Sequence, residues 1–217
     1  MDTQWPKDFL PEIERRSASA RGAGRFAPET GLRRSETEAF IAAVFARAHG
    51  ARIRKFMPLL LGLRDRGGRL TAACGLRAAG GGPVFLEHYL AGPVERAVAA
   101  VAEVPIARAR VVEVGNLAVA PPGSARELIA ALTEYLVPTP FQWVVFTGGP
   151  ALRNAFLRLG VPLSHLAHAR IEDLPEDARA HWGTYYDSGP TVCAVEVEAA
   201  RAALARRAQC ASASVSA

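Results

Sequence analysis

Residues 111–136, VVEVGNLAVAPPGSARELIAALTEYL, constrain the fold more than any other part of this chain. They read as a buried strand, a Pro-Pro-Gly break and an amphipathic helix. Ser124 and Glu127 have capping-box spacing, which predicts a helix start at Ser124. Leu128, Ile129, Leu132 and Leu136 then share one helical face. A strand that passes through a glycine-containing turn into a helix forms an anion site. The N–H groups of the first turn are unpaired there, and the helix dipole favours negative charge. Glu113 and Asn116 interrupt a strand otherwise made of small and apolar residues. They are either reacting groups beside a pyrophosphate cradle or satisfied polar residues of an ordinary strand–helix unit.

The flanking sequence fits the same kind of sheet. Ser35 and Glu38 form a second capping box, predicting a helix through about His49 with Phe40, Ile41, Val44 and Phe45 inward. The apolar runs 56–64 and 69–77 are joined by Asp65, Arg66, Gly67 and Gly68, a hairpin turn. Pro93 suits the first position of a helix ending near Ala102, and Pro138 and Pro140 stop the helix that starts at Ser124. A strand is expected at 142–147, then a helix from Pro150 closed by Gly160. One more strand falls within 161–171, and a last strand near 190–198 leads into a closing helix. Antiparallel strands come first and two strand–helix units follow. That order predicts an α+β (mixed α/β) fold, a single mixed sheet flanked by helices on both faces. The expected organisation is a flexible arm over 1–24, one domain over 25–205 and a disordered tail over 206–217.

Charge and composition narrow the partners. The formal net charge is +5, and the cationic side chains are almost all Arg, since Lys occurs only at Lys7 and Lys55. A basic surface favours acidic partners such as a phosphate-bearing cofactor, an acidic carrier protein or an anionic membrane face. Nothing in the pattern marks a nucleic-acid binder. The N-terminal segment lacks an apolar signal core, and no apolar run reaches the ~20 residues of a membrane helix, so a cytoplasmic protein is expected. Cys74, Cys193 and Cys210 show neither metal spacing nor a paired framework. His165 and His168 lie three apart outside a clear helix, and no metal is expected.

The strand–turn–helix at 111–136, the strand QWVVFT and the helix PALRNAFLRLG resemble the second half of a GNAT-type acyltransferase. Six blocks taken together, including ARIRKFMPLLLGLRD, GRLTAACGLR, FLEHYL and WGTYYDSGPTV, resemble the thermostable hemolysin family over about residues 31–197. That family is similar to the autoinducer synthases, which carry the GNAT fold. The resemblance implies an N-acyltransferase with acyl-CoA or acyl-carrier protein as donor. The acceptor would be a small amine or an amino-acid derivative, and a homodimer is left open. It places Leu117 and Val119 of the fourth strand, Gly123, Ser124, Ala125 and Arg126 of the pyrophosphate loop, and Asn154 of the next helix around the donor. Arg77 matches the arginine that follows the third strand in the synthases, and Glu113 their fourth-strand glutamate. Asn116 stands where they carry an arginine, and the loop lacks a second glycine. Val161 replaces the usual aromatic after Gly160.

Acyl transfer to an amine requires a base, a polarised thioester carbonyl and a proton for the leaving thiolate. Glu113 is the candidate base, because an apolar strand raises its pKa by desolvation. Its other reading is a glutamate that points outward from an edge or is salt-bridged to Arg77. Asn116 is a second catalytic candidate, and Tyr185 a proton donor to the thiolate. Arg77, Glu87, His88, Thr147 and Tyr186 are candidates for holding the acceptor. Glu87 with His88 also reads as a surface pair, and the two tyrosines as packing over the sheet. Two rivals stand beside the enzyme: a basic, membrane-active protein, and a GNAT-shaped acyl-binding protein without turnover.

Overall fold

The computed structural model describes residues 26–120 and 123–215, the last five without side chains. The expected N-terminal arm lies outside the described residues. Seven strands form one sheet in the order β1-β2-β3-β4-β5-β7-β6. In chain order these are β1 (Phe26–Pro28), β2 (Leu59–Arg64), β3 (Leu70–Ala78), β4 (Val111–Val119), β5 (Trp143–Gly148), β6 (Ser164–His168) and β7 (Thr191–Glu196). Among the described strands, only β4 and β5 pair in parallel. Among the described residues, six α-helices accompany them: α1 (Gly31–His49), α2 (Val94–Ala102), α3 (Ser124–Leu136), α4 (Pro150–Arg158), α5 (Glu176–Arg179) and α6 (Val197–Val215). The expected mixed fold, with helices on both faces, is the one observed.

Alternation along the strands divides the interior into two layers. Cys74 and Leu76 of β3, Val112 and Val114 of β4, and Phe146 of β5 pack under α3, α4 and α6. Val111 and Val145 face the other way, onto α2, and Leu60 and Ala73 face Ile41 and Phe45 of α1. The periodic residues Leu128, Ile129, Leu132 and Leu136 are all buried. Among the described residues, no helix is long and apolar enough to cross a membrane.

Four local expectations are corrected. Helix α1 begins at Gly31 and not at Ser35. Thr30 is its N-cap residue, no side chain caps it, and Ser35 lies one turn inside. The helix formers Leu32, Arg33 and Arg34 carry it back. Helix α3 does begin at Ser124, but as its first helical residue: Gly123 occupies the cap at φ +93 and there is no capping-box bond. Pro93 likewise sits at the cap of α2, one residue before the helix. Helix α6 runs to Val215, past the expected boundary at 206. Its alanine-rich sequence favours continued helix.

Two irregularities open the centre of the sheet. The β4–β5 pairing runs from Val111 opposite Trp143 to Val114 opposite Phe146 and stops there. Beyond Val114, β4 continues to pair with β3, and beyond Phe146, β5 continues to pair with β7. The two parallel strands therefore splay apart. At the same level the register of β3 with β4 shifts between Ala73 and Gly75. Asn116 takes a left-handed φ of +50 there, a conformation that asparagine tolerates better than most residues. The result is a β-bulge next to the seam.

Candidate active site

The seam opens onto a cavity of about 890 Å³ on the α1/α2 side of the sheet. Its floor comes from β4 (Glu113 to Leu117) and from Thr147 and Gly148 of β5. One wall is α1 and the segment after it, and the other is Phe85, His88 and Tyr89 with the aromatic segment Trp182, Tyr185 and Tyr186.

Glu113 lies at the bottom, with only 2% of its surface exposed. The side chain of β4 residue 113 points to the α1/α2 face, where the short 3₁₀ turn Phe85–Tyr89 comes down over it. One carboxylate oxygen accepts the Phe85 N–H at 3.0 Å and the other the Leu86 N–H at 2.9 Å. Burial pushes the Glu113 carboxyl above its ordinary value, against the opposing pull of these two N–H groups and of Arg77. Arg77 is its register partner on β3 and also lines the cavity. No salt bridge joins the two, so the pairing expected as the alternative role of Glu113 does not form.

Asn116 does not face the cavity as a free reacting group. Its Oδ1 accepts the Met57 N–H at 2.8 Å and its amide donates to the Lys55 carbonyl at 3.5 Å. The residue straps segment 51–58 onto the bulge. Glu87, by contrast, lies outside the cavity. It accepts Arg108 at 2.6 Å and the N–H groups of Val84 at 3.0 Å and Val94 at 2.8 Å. Despite burial, these partners hold its carboxyl below the ordinary value. Arg108 also binds Glu95 and the Ala79 and Gly82 carbonyls. This knot fixes the turn that supplies the two N–H groups to Glu113, so Glu87 supports the site without lining it.

The aromatic wall is tied to α1 by main-chain bonds. Thr184 N–H donates to the His49 carbonyl at 2.8 Å, and Arg52 N–H to the His181 carbonyl at 2.7 Å. Gly183 between them has φ +53, and a β-carbon there would stand 1.9 Å from the His49 oxygen. Only glycine permits that approach. Tyr185 donates to the Thr147 carbonyl at 3.2 Å, beside the seam, and packs on His49 with ring centroids 5.2 Å apart. Burial raises its pKa above the ordinary tyrosine value. Tyr186 bonds the Tyr89 hydroxyl, and burial pushes its pKa up to about 12. His88 and Thr147 line the cavity as expected.

The expected donor residues divide. Leu117 lines the cavity, whereas Val119 packs on the core beneath α3. Gly123, Ser124, Ala125 and Arg126 form the N-terminus of α3 outside the cavity, and Pro122 lies outside the described residues. Asn154 is exposed in the middle of α4, where it neither caps the helix nor lines the cavity. Met57, Phe85, Trp182 and Arg108 were not singled out from the sequence. Met57 reads there as the beginning of an apolar strand, and Arg108 as one arginine among many. Among the described residues, no group of three or more His, Cys, Asp or Glu is arranged to hold a metal.

The family model for thermostable hemolysin matches residues 27–201. The chain belongs to the thermostable hemolysin family. The match takes in every strand but the first residue of β1, together with all the residues of the cavity. None of the curated proteins matches this family member in sequence. Solved structures do match it in fold. FeeM, an N-acyl amino acid synthase from uncultured soil microbes, is 16% identical with a TM-score of 0.57, over 82% of this chain and 94% of that one. TofI is 17% identical with a TM-score of 0.55, over 83% and 95%. BjaI, a CoA-dependent acyl-homoserine lactone synthase solved with SAM and isopentyl-CoA, is 14% identical with a TM-score of 0.55, over 85% and 89%. The GNAT-like fold expected from the sequence is thereby shown.

Proposed function

We propose that this thermostable hemolysin family member is an N-acyltransferase. It moves a fatty acyl group from a thioester donor, acyl-CoA or acyl-carrier protein, to the amine of a small acceptor that carries a carboxylate. The observation that carries this reading is the placement of a buried carboxylate, Glu113, and an unpaired guanidinium, Arg77, side by side. Both sit in a cavity that meets the open seam between β4 and β5. The likeness to FeeM, an N-acyl amino acid synthase, and to BjaI, an acyl-homoserine lactone synthase, supports the same class.

In this reading the thioester lies in the seam. Beyond Val114, β4 has no strand partner on the β5 side, so its peptide N–H groups are available to polarise the acyl carbonyl. Arg77 holds the acceptor carboxylate through charge-assisted hydrogen bonds. Glu113 takes the proton from the acceptor ammonium, and its raised pKa suits that task. The neutral nitrogen attacks the carbonyl carbon, the C–S bond breaks, and the proton lost from the attacking nitrogen goes to the sulfur. Tyr185 is repositioned by this account. Its raised pKa makes it a weaker acid than a thiol, so it keeps its proton and turns its single O–H from the Thr147 carbonyl to the leaving sulfur as a hydrogen-bond donor.

The test is thermal shift of the purified protein with CoA, long-chain acyl-CoA and acyl-carrier protein. Mass spectrometry of mixtures with amino acids and simple amines follows. A donor that binds the native state raises the melting temperature, and an acylated amine with released thiol completes the case. The absence of any shift and any product sinks the reading.

A further inference from the structure

On the cavity side of the sheet, three cross-strand pairs of β3 and β4 run from apolar to charged. Ala73 faces Ala118, Gly75 faces Gly115, and Arg77 faces Glu113. The glycine pair and the charged pair stand ~7 Å apart along the strands. The glycine pair leaves a notch, and Met57 fills it. A β-carbon on Gly75 would stand 2.4 Å from Met57 Cβ, and one on Gly115 2.3 Å from Met57 Cε. Two neighbouring strands thus forgo a side chain at one level to admit a single thioether.

The main chain at Met57 and Pro58 is held by three hydrogen bonds. The Met57 N–H donates to Asn116 Oδ1 at 2.8 Å, its carbonyl accepts Arg34 at 3.2 Å, and the Pro58 carbonyl accepts the same guanidinium at 3.0 Å. The side chain is unbranched and adaptable by comparison. It forms part of the cavity surface beside Phe45, Ile53 and Phe56. The cavity is therefore divided: one end holds Arg77 and Glu113, and at the other these apolar side chains surround a movable thioether on a fixed backbone, with the exposed Arg52, Arg54 and Lys55 of the same segment also contributing to the lining.

We propose that Met57 is the specificity-determining residue for the acyl chain, its thioether over the Gly75–Gly115 notch setting how many carbons the apolar end accepts. This rests on the acyl-transfer reading above, since the charged end is there assigned to the acceptor. Shortening Met57 exposes the notch and deepens the cavity. A β-carbon at Gly115, which meets the free Cε end, drives the thioether outward and makes it shallower.

The experiment uses the full chain and saturated acyl-CoA donors of six to about sixteen carbons. Thiol release with a working acceptor and thermal shift without acceptor are read for each donor. Met57→Ala removes three heavy atoms and is expected to move the preferred donor longer by roughly two to three methylenes, with about fourfold in kcat/KM for each one newly accommodated. Met57→Val, a milder change, is expected to move it in the same direction by less. Gly115→Ala is expected to move it shorter. A folded Met57→Ala or Met57→Val protein with an unchanged chain-length profile overturns the proposal. So does a change confined to acceptor preference, or wild-type protein whose melting temperature responds to no chain length. Wild-type protein that binds acyl-CoA but acylates nothing defeats the transfer reading alone, and the binding profile then still decides the role of Met57.

Discussion

Glu113 and Arg77 face each other across β4 and β3, yet the carboxylate spends its hydrogen bonds on Phe85 and Leu86 and not on the guanidinium. The two charges are near enough for Arg77 to draw the Glu113 pKa down against burial, but each keeps capacity for a third partner. A small molecule with a cationic amine and an anionic carboxylate complements that pair of residues.

Glu113→Gln is expected to do two separable things. It removes the base, and loss of a general base commonly lowers turnover by ~10²–10⁴. It also turns an amide NH₂ toward one of the two N–H donors, which costs about 1–3 kcal/mol of stability. Acyl transfer rates and urea unfolding report the two effects independently. The pH dependence follows from the raised pKa. Folded protein holds the Glu113 proton to higher pH than unfolded protein does. Stability should therefore fall as pH rises from the ordinary carboxylate value through the folded pKa. In Glu113→Gln that descending limb should vanish. Unfolding free energies that keep the same pH profile in both proteins would show that Glu113 is not the titrating group.

Arg77→Gln should leave the melting temperature nearly unchanged, because the guanidinium forms no hydrogen bond or ion pair among the described residues. The acceptor KM should rise by about 10–150-fold, the range for one lost hydrogen bond to a charged group. The acidic limb of kcat/KM should also move to higher pH, since the positive charge favours ionised Glu113. Steady-state kinetics across pH 4–8 against a carboxylate-bearing amine and its methyl ester would check both (about five points resolve the limb). Equal loss toward acid and ester would contradict the carboxylate contact.

Much of this architecture was legible in the sequence, and the exceptions share a cause. Periodicity located β4, α3, β5 and α4, because a buried strand and an amphipathic helix are local patterns. Glu113 stood out as a carboxylate in an apolar strand. Glu87 and Asn116 were assigned to chemistry because their chemical types suit it. Their actual partners, Arg108 and Met57, lie 21 and 59 residues away in sequence, and such pairing is a property of the fold. The Gly75–Gly115 notch has the same origin: each glycine is unremarkable until β3 and β4 are in register.

Arg108→Ala should unfasten the turn over Glu113. Glu87 would then keep the Val84 and Val94 N–H groups but lose its cation, and Glu95 would lose one as well. Both side chains are partly exposed, so the expected cost is about 1–3 kcal/mol, below that of a fully buried pair. The Glu87 carboxyl is held below its ordinary value, so its contribution is present above the unfolded pKa and is lost as pH falls through the folded one. Acid unfolding of Arg108→Ala should therefore begin at a higher pH than in the parent. Circular dichroism across an acid titration measures this, and coincident midpoints would mean that the knot does not stabilise the fold.

Asn116 meets two demands at once, and a pair of substitutions separates them. Its φ of +50 suits asparagine or glycine, and its side chain anchors Met57 and Lys55. Asn116→Gly accommodates the backbone but releases the strap, whereas Asn116→Ala releases the strap and adds backbone strain of about 1–2 kcal/mol. Both should loosen residues 51–58, and only Asn116→Ala should carry the extra stability loss. Hydrogen exchange at the Met57 amide reports the strap, and the difference in melting temperature between the two variants reports the strain. If the Met57 amide stays equally protected in both, segment 51–58 is held by Arg34 and the aromatic wall, and Asn116 serves the bulge alone.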